Sequence, residues 1–127
     1  MSLARLTLDT TTVAAYALGS EDVGEVLREL ADEGARFAIP AVCVVEAAVQ
    51  LPDKAWPLLD VLVRLPHAVT VPLNAEDWRH TVAAAHLLGS LGRACAALLF
   101  ARGHVDYVLT TEPDAYGEGI ETIPIGE

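Results

Sequence analysis

Apolar positions along this chain fall into two kinds of run that take turns. Short, nearly continuous apolar stretches at residues 3–8 (LARLTL), 36–39 (RFAI), 68–72 (AVTVP), 106–110 (DYVLT) and 121–125 (ETIPI) read as strands. Between them the apolar residues recur at helical spacing. Val23, Val26, Leu27, Leu30 and Ala31 follow the i, i+3, i+4, i+7, i+8 rule. Similar patterns predict helices over 12–18, from Pro40 through PAVCVVEAAVQL, over 53–64, from Asn74 to about Leu88, and over 92–102. The punctuation agrees with these boundaries. Ser20 can cap a helix whose first turn holds Glu21 and Asp22 at its positive end, and Gly19, Gly34, Gly89 and Gly103 stand where helices should stop. Leu73 and Trp78 flank Asn74 as a hydrophobic staple would.

Strands separated by helices imply right-handed βαβ units, and hence a mostly parallel sheet of four to five strands covered on both faces. The fold class is α/β. With 127 residues, no internal repeat and no linker-like tract, the chain reads as a single domain over 1–127. A hydrophobic share of 53% argues against disorder. The N-terminus lacks signal-peptide character, and no window approaches the ~18 uncharged apolar residues of a membrane span, since Glu46 breaks the best candidate. A soluble, cytoplasmic protein with no membrane partner is the expectation. Cys43 and Cys95 lie in apolar helical surroundings, without CxxC or zinc spacing, and are expected as buried thiols.

Charge narrows the function. Eighteen acids against eight bases give a net charge of −10, which repels a phosphate backbone at long range and attracts basic partners. A carboxylate cluster around a divalent cation is still permitted, because the metal reverses the local field.

Ligands of open parallel sheets gather at the carboxyl ends of the strands. Asp9 ends the first strand, and Glu112 and Asp114 follow YVLTT, so all three project toward one rim. Helix capping would account for Asp9 alone and a turn for TEPD alone. Glu46 is harder to place blandly: VCVVEAAVQ has no polar face, and a lone buried carboxylate must be paired or bind a metal. Carboxylates around Mg²⁺ or Mn²⁺ can activate water and clamp a phosphodiester. Other chemistries have no support. His67, His80, His86 and His104 share no metal-ligand spacing, Ser20 and Ser90 read as caps, and no phosphate-binding glycine motif occurs.

In order and spacing, LTLDTTTVAAY, AIPAVCVVEAAV, GRACAALLFARG, YVLTTEPDAY and ETIPI resemble the PIN domain, and within it the small bacterial toxins of the VapC type. The resemblance covers nearly the whole chain. It implies an α/β/α sandwich around a parallel sheet and an endoribonuclease dependent on Mg²⁺ or Mn²⁺. It also implies a homodimer silenced by an antitoxin chain. Residue by residue, Asp9 matches the acid after the first strand, Glu46 the second, helical acid, and Glu112 and Asp114 the acids after the fourth strand. Thr110 or Thr111 matches the neighbouring hydroxyl, and Thr11 stands where a side chain can hydrogen-bond a ligand water.

One position departs from the family. Counting back from Gly103, with Ala96 and Ala97 as the alanine pair, the third acid falls on Gly92, which has no side-chain oxygen. Next to it stands Arg93, whose positive charge would oppose a metal if it pointed inward and would suit a phosphate contact if it did not. Arg5, Arg36, Arg79 and Arg102 are further phosphate-contact candidates, and Glu76 and Asp77 lie too far upstream to replace the lost acid. Two functions follow: a metal-dependent ribonuclease weakened by one missing acid, or a degenerate PIN-like domain acting in binding or regulation. For a dimer, Trp56, Leu59, Leu62 and Val63 form a candidate face, with burial against the chain's own sheet as the alternative.

Overall fold

The first strand, β1 (Leu6–Leu8), is buried along its whole length, as a strand with helices on both sides must be. The computed structural model describes residues 2–126. After β1 come α1 (Thr10–Ala17), α2 (Glu21–Asp32), β2 (Phe37–Pro40), α3 (Ala41–Gln50), α4 (Trp56–Val63) and β3 (Ala68–Val71). The chain continues through α5 (Trp78–Leu88), α6 (Leu91–Ala101), β4 (Tyr107–Thr110) and β5 (Thr122–Pro124). Single 3₁₀ turns at Asp53–Ala55, Ala75–Asp77 and Pro113–Tyr116 complete it.

All five strands pair in parallel, in the order β3-β2-β1-β4-β5. The architecture is the expected α/β/α sandwich. Alternate residues of the central strands face opposite layers. Leu6, Leu8, Phe37, Ile39 and Leu109 point into one core with Val13 of α1, Leu27 and Leu30 of α2, and Leu59 and Leu62 of α4. On the other face, Ala38 packs with Leu99, and Val108 with Ala96 and Ala97 of α6 and with Tyr116. Among the described residues no single helix is long and apolar enough to cross a membrane.

Several local expectations are corrected. Helix α1 begins at Thr10, with Asp9 as its cap, rather than at residue 12. Pro40 is both the last residue of β2 and the N-cap of α3, whose first helical residue is Ala41. Asn74 makes no side-chain capping bond, and Leu73 and Trp78 are left 44% and 56% exposed rather than buried at the helix start. The reason is that α5 rests on α6 from outside, and Thr81 is its only buried residue. Cys95 is only partly buried, whereas Cys43 is fully so. Of the candidate dimer face, Leu59 and Leu62 belong to the chain's own core, while Trp56 is exposed alongside Val45 and Val49.

The strand order places the site. From β1 the chain steps outward to β2 and β3, then returns to add β4 on the other side of β1. Connections therefore diverge at the carboxyl ends of β1 and β4, leaving a crevice where ligands of such sheets bind. Asp9 follows β1 there, and Thr111 and Glu112 follow β4.

Candidate functional site

Asp9 is 1% exposed, and burying a carboxylate this deeply demands compensation. Its Oδ1 accepts from the backbone N–H of Thr12 (3.0 Å) and the hydroxyl of Thr11 (2.7 Å). The Oδ2 atom accepts from the hydroxyl of Tyr116 (2.7 Å). Three donors and the positive end of α1 thus hold the charge.

Glu46 projects from the middle of α3 across to the start of α6. Its Oε1 accepts from the Thr10 hydroxyl (2.7 Å) and from the backbone N–H of Gly92 (3.1 Å). The first amides of a helix have no partner within it. Ser90 supplies one for Arg93 (3.1 Å), and Glu46 supplies one for Gly92 from a distant part of the chain. With the Thr10 and Glu46 side chains where they stand, residue 92 has no room for a Cβ. A Cβ on residue 92 would fall on Thr10 Oγ1 and Glu46 Oε1, with Cys43 Sγ 3.4 Å away.

The loop after β4 joins the same network. The Thr11 hydroxyl accepts from the Thr111 N–H (3.2 Å) and lies 3.4 Å from the Thr110 hydroxyl, which accepts from the Glu112 N–H (3.0 Å). The Glu112 side chain is exposed and receives Arg93 Nη2 at 3.0 Å. Asp114 is exposed in the Pro113–Tyr116 turn, and among the described residues no hydrogen bond or ion pair engages its side chain. Thr10 thus ties Glu46, and Thr11 ties Asp9, to the start of α1; Glu112 joins through its backbone N–H while its side chain turns to Arg93, and Asp114 is engaged by neither.

A Mg²⁺ ion is usually held by one or two carboxylates, with waters and substrate phosphates completing its shell. Here Oδ1 of Asp9 and Oε1 of Glu46 each already take two donors, and Glu112 takes a guanidinium. Among the described residues no three of His, Cys, Asp or Glu are grouped so as to hold a metal. As arranged, one oxygen of Glu46 and one of Glu112, and both oxygens of Asp9, are engaged by donors of the chain itself.

Beside Thr11 opens a cleft of about 730 Å³, whose wall carries Glu21, Asp22 and Glu112 and no basic residue. Its charge favours cationic groups over phosphates.

Burial pushes the Tyr116 phenol up from its ordinary value of 10.0, reinforced by the charge of Asp9 and the hydrogen bond to it. Burial likewise pushes the Cys43 thiol up from 9.0, with the neighbouring Thr10 hydroxyl opposing the shift and the charges of Asp9, Cys95 and Glu46 adding to it. Both groups stay protonated in the folded state at a pH where the unfolded chain gives up the proton. The stability they contribute is complete below the unfolded values and is lost as pH rises above them. Unfolding free energy is expected to fall by about 1.4 kcal/mol per pH unit for each group past that point. Urea titrations between about pH 8 and about pH 11 test this, and a flat profile would refute it.

Tyr116, Thr10 and the Gly92 amide were not legible as site groups from sequence. Tyr116 gives one usable signal: a tyrosine brought into an apolar core needs an acceptor for its hydroxyl, and it lies within the YVLTTEPDAY stretch. Comparison with family models and with curated proteins finds no match to this chain.

Proposed function

We propose that this chain is a PIN-like domain of the VapC type whose nuclease rim is closed by its own side chains, and that it serves as a binding or regulatory module. The observation that carries this reading is the contact at Gly92. At the position where the resemblance expects a third acid, the backbone N–H is bonded to Glu46, and the space for any Cβ is taken by Thr10 and Glu46. The acids that would hold Mg²⁺ or Mn²⁺ act instead as helix caps, Asp9 on α1 and Glu46 on α6. The partner is a basic protein segment, of the kind an antitoxin chain would supply. The acidic cleft and the net charge of −10 both favour such a partner over RNA. Exposed Val45, Val49 and Trp56 offer an apolar face for a second copy in a homodimer.

A residual metal-dependent endoribonuclease is the second reading, favoured by the arrival of Asp9, Glu46 and Glu112 at the same sheet rim. Calorimetric titration with Mn²⁺, run beside an RNA cleavage assay, separates the two. No saturable heat is expected up to about millimolar metal, and no cleavage that Asp9→Asn removes. Saturable binding together with Asp9-dependent cleavage would establish the nuclease and overturn the binding-module reading.

A further inference from the structure

Arg93 is the third residue of α6, directly after the glycine that stands in the acid's place. Its guanidinium is tied at two points. Nη1 donates to the carbonyl of Leu88 (3.0 Å) at the C-terminal end of α5, and Nη2 donates to Glu112 Oε1 (3.0 Å) after β4. Both acceptors are negative, one through the helix dipole and the other through its formal charge. The turn between α5 and α6 is shaped around this seat. Gly89 closes α5 in the left-handed conformation at φ 88°, and a Cβ there would press to 3.3 Å from Arg93 Nη1. Glu112 in turn precedes the Pro113–Tyr116 turn, whose tyrosine reaches Asp9. The guanidinium thus holds the loop that completes the Asp9 shell.

Resting on the closed-rim reading above, we infer that Arg93 is the rim's resident cation: its guanidinium supplies, from within the chain, the positive charge a divalent ion would bring, and so makes the rim independent of metal. The neighbours Gly92 and Arg93 act as a pair. Glycine removes one carboxylate and lets Glu46 accept from the start of α6, and arginine pairs with Glu112. Without the guanidinium, Glu112 is left as an uncompensated carboxylate beside the acidic cleft, and a divalent cation gains a purchase.

Thermal unfolding of the full chain with and without Mn²⁺ tests this with no need for catalysis. The wild-type midpoint is expected not to move at about 5 mM Mn²⁺. Arg93→Gln should lower the metal-free midpoint by about 2–4 °C, and Mn²⁺ should restore it saturably. Arg93→Lys retains the charge and should stay indifferent to metal. An Arg93→Gln midpoint that ignores Mn²⁺, or an Arg93→Lys midpoint that responds as strongly as Arg93→Gln, overturns the inference. Glu112→Gln breaks the pair from the other side while leaving the positive charge. It should lose a similar amount with no recovery in Mn²⁺, so recovery in that variant also overturns the inference, whether or not Arg93→Gln folds. Failure here is distinct from failure of the closed-rim reading. If wild type and Arg93→Gln both ignore Mn²⁺, only the role of Arg93 falls; if wild type binds Mn²⁺ and cleaves RNA, the closed rim itself falls.

Discussion

Gly92→Ala is expected to destabilise the domain by about 1–2 kcal/mol net. The added methyl falls on Thr10 Oγ1 and Glu46 Oε1, so these oxygens must move and the bond from the Gly92 amide stretches or breaks. The net figure already includes the offset of about 1 kcal/mol from alanine's better helix propensity. The partner of the collision is named, so the claim can be checked by a double-mutant cycle in urea. Glu46→Ala alone removes the acceptor of the Gly92 amide and the Thr10 hydroxyl, costing about 1–3 kcal/mol. In combination it also clears the space the methyl needs. The two changes should therefore be non-additive by about 1–2 kcal/mol, the double variant being more stable than the sum predicts. Additive losses would mean that residue 92 does not meet Glu46, and the closed rim would lose its main support. An aspartate at 92 should be tolerated worse than alanine, because it adds a carboxylate against Glu46 as well as bulk.

Tyr116→Phe should cost about 2–3 kcal/mol. Phenylalanine keeps the packing against Ala96, Ala97 and Val108, so the loss isolates the hydroxyl. That hydroxyl is the donor to Oδ2 of an aspartate only 1% exposed, and a buried carboxylate oxygen deprived of its donor carries a large desolvation penalty. Two controls sharpen the result. In an Asp9→Asn background the same substitution should cost at least about 1 kcal/mol less, since the bond is no longer charge-assisted. The variant should also lose the part of the alkaline decline that begins near pH 10.0, the ordinary value for tyrosine, and retain the part due to Cys43. Equal costs in both backgrounds would disconnect Tyr116 from Asp9.

Much of the architecture was readable because it rests on short-range patterning. Short continuous apolar runs and period-3.6 runs separate strands from helices, and their alternation implies a parallel sheet with two covering layers. Asp9 was readable as a rim residue because the end of β1 is legible locally. Glu46 stood out because nothing else in α3 is charged. The failures share a cause as well. Leu73 and Trp78 had the spacing of a staple, yet both stay largely exposed, because α5 lies outside α6 and its start has little to pack on. Leu59 and Leu62 carried the pattern of an interface and of a core equally well, and only the position of α4 against the sheet assigns them to the core.

By itself, the sequence determined the elements, the class of fold and the residues whose chemistry is out of keeping with their surroundings, since each of these depends on neighbours within a turn or two of chain. Tertiary structure alone decided what those residues do. Glu46 meets Gly92 across 46 positions, Tyr116 meets Asp9 across 107, and Arg93 meets Glu112 between two elements. A carboxylate's role as metal ligand or as cap is set by which donors reach its lone pairs, and those donors arrive from parts of the chain that no local pattern relates.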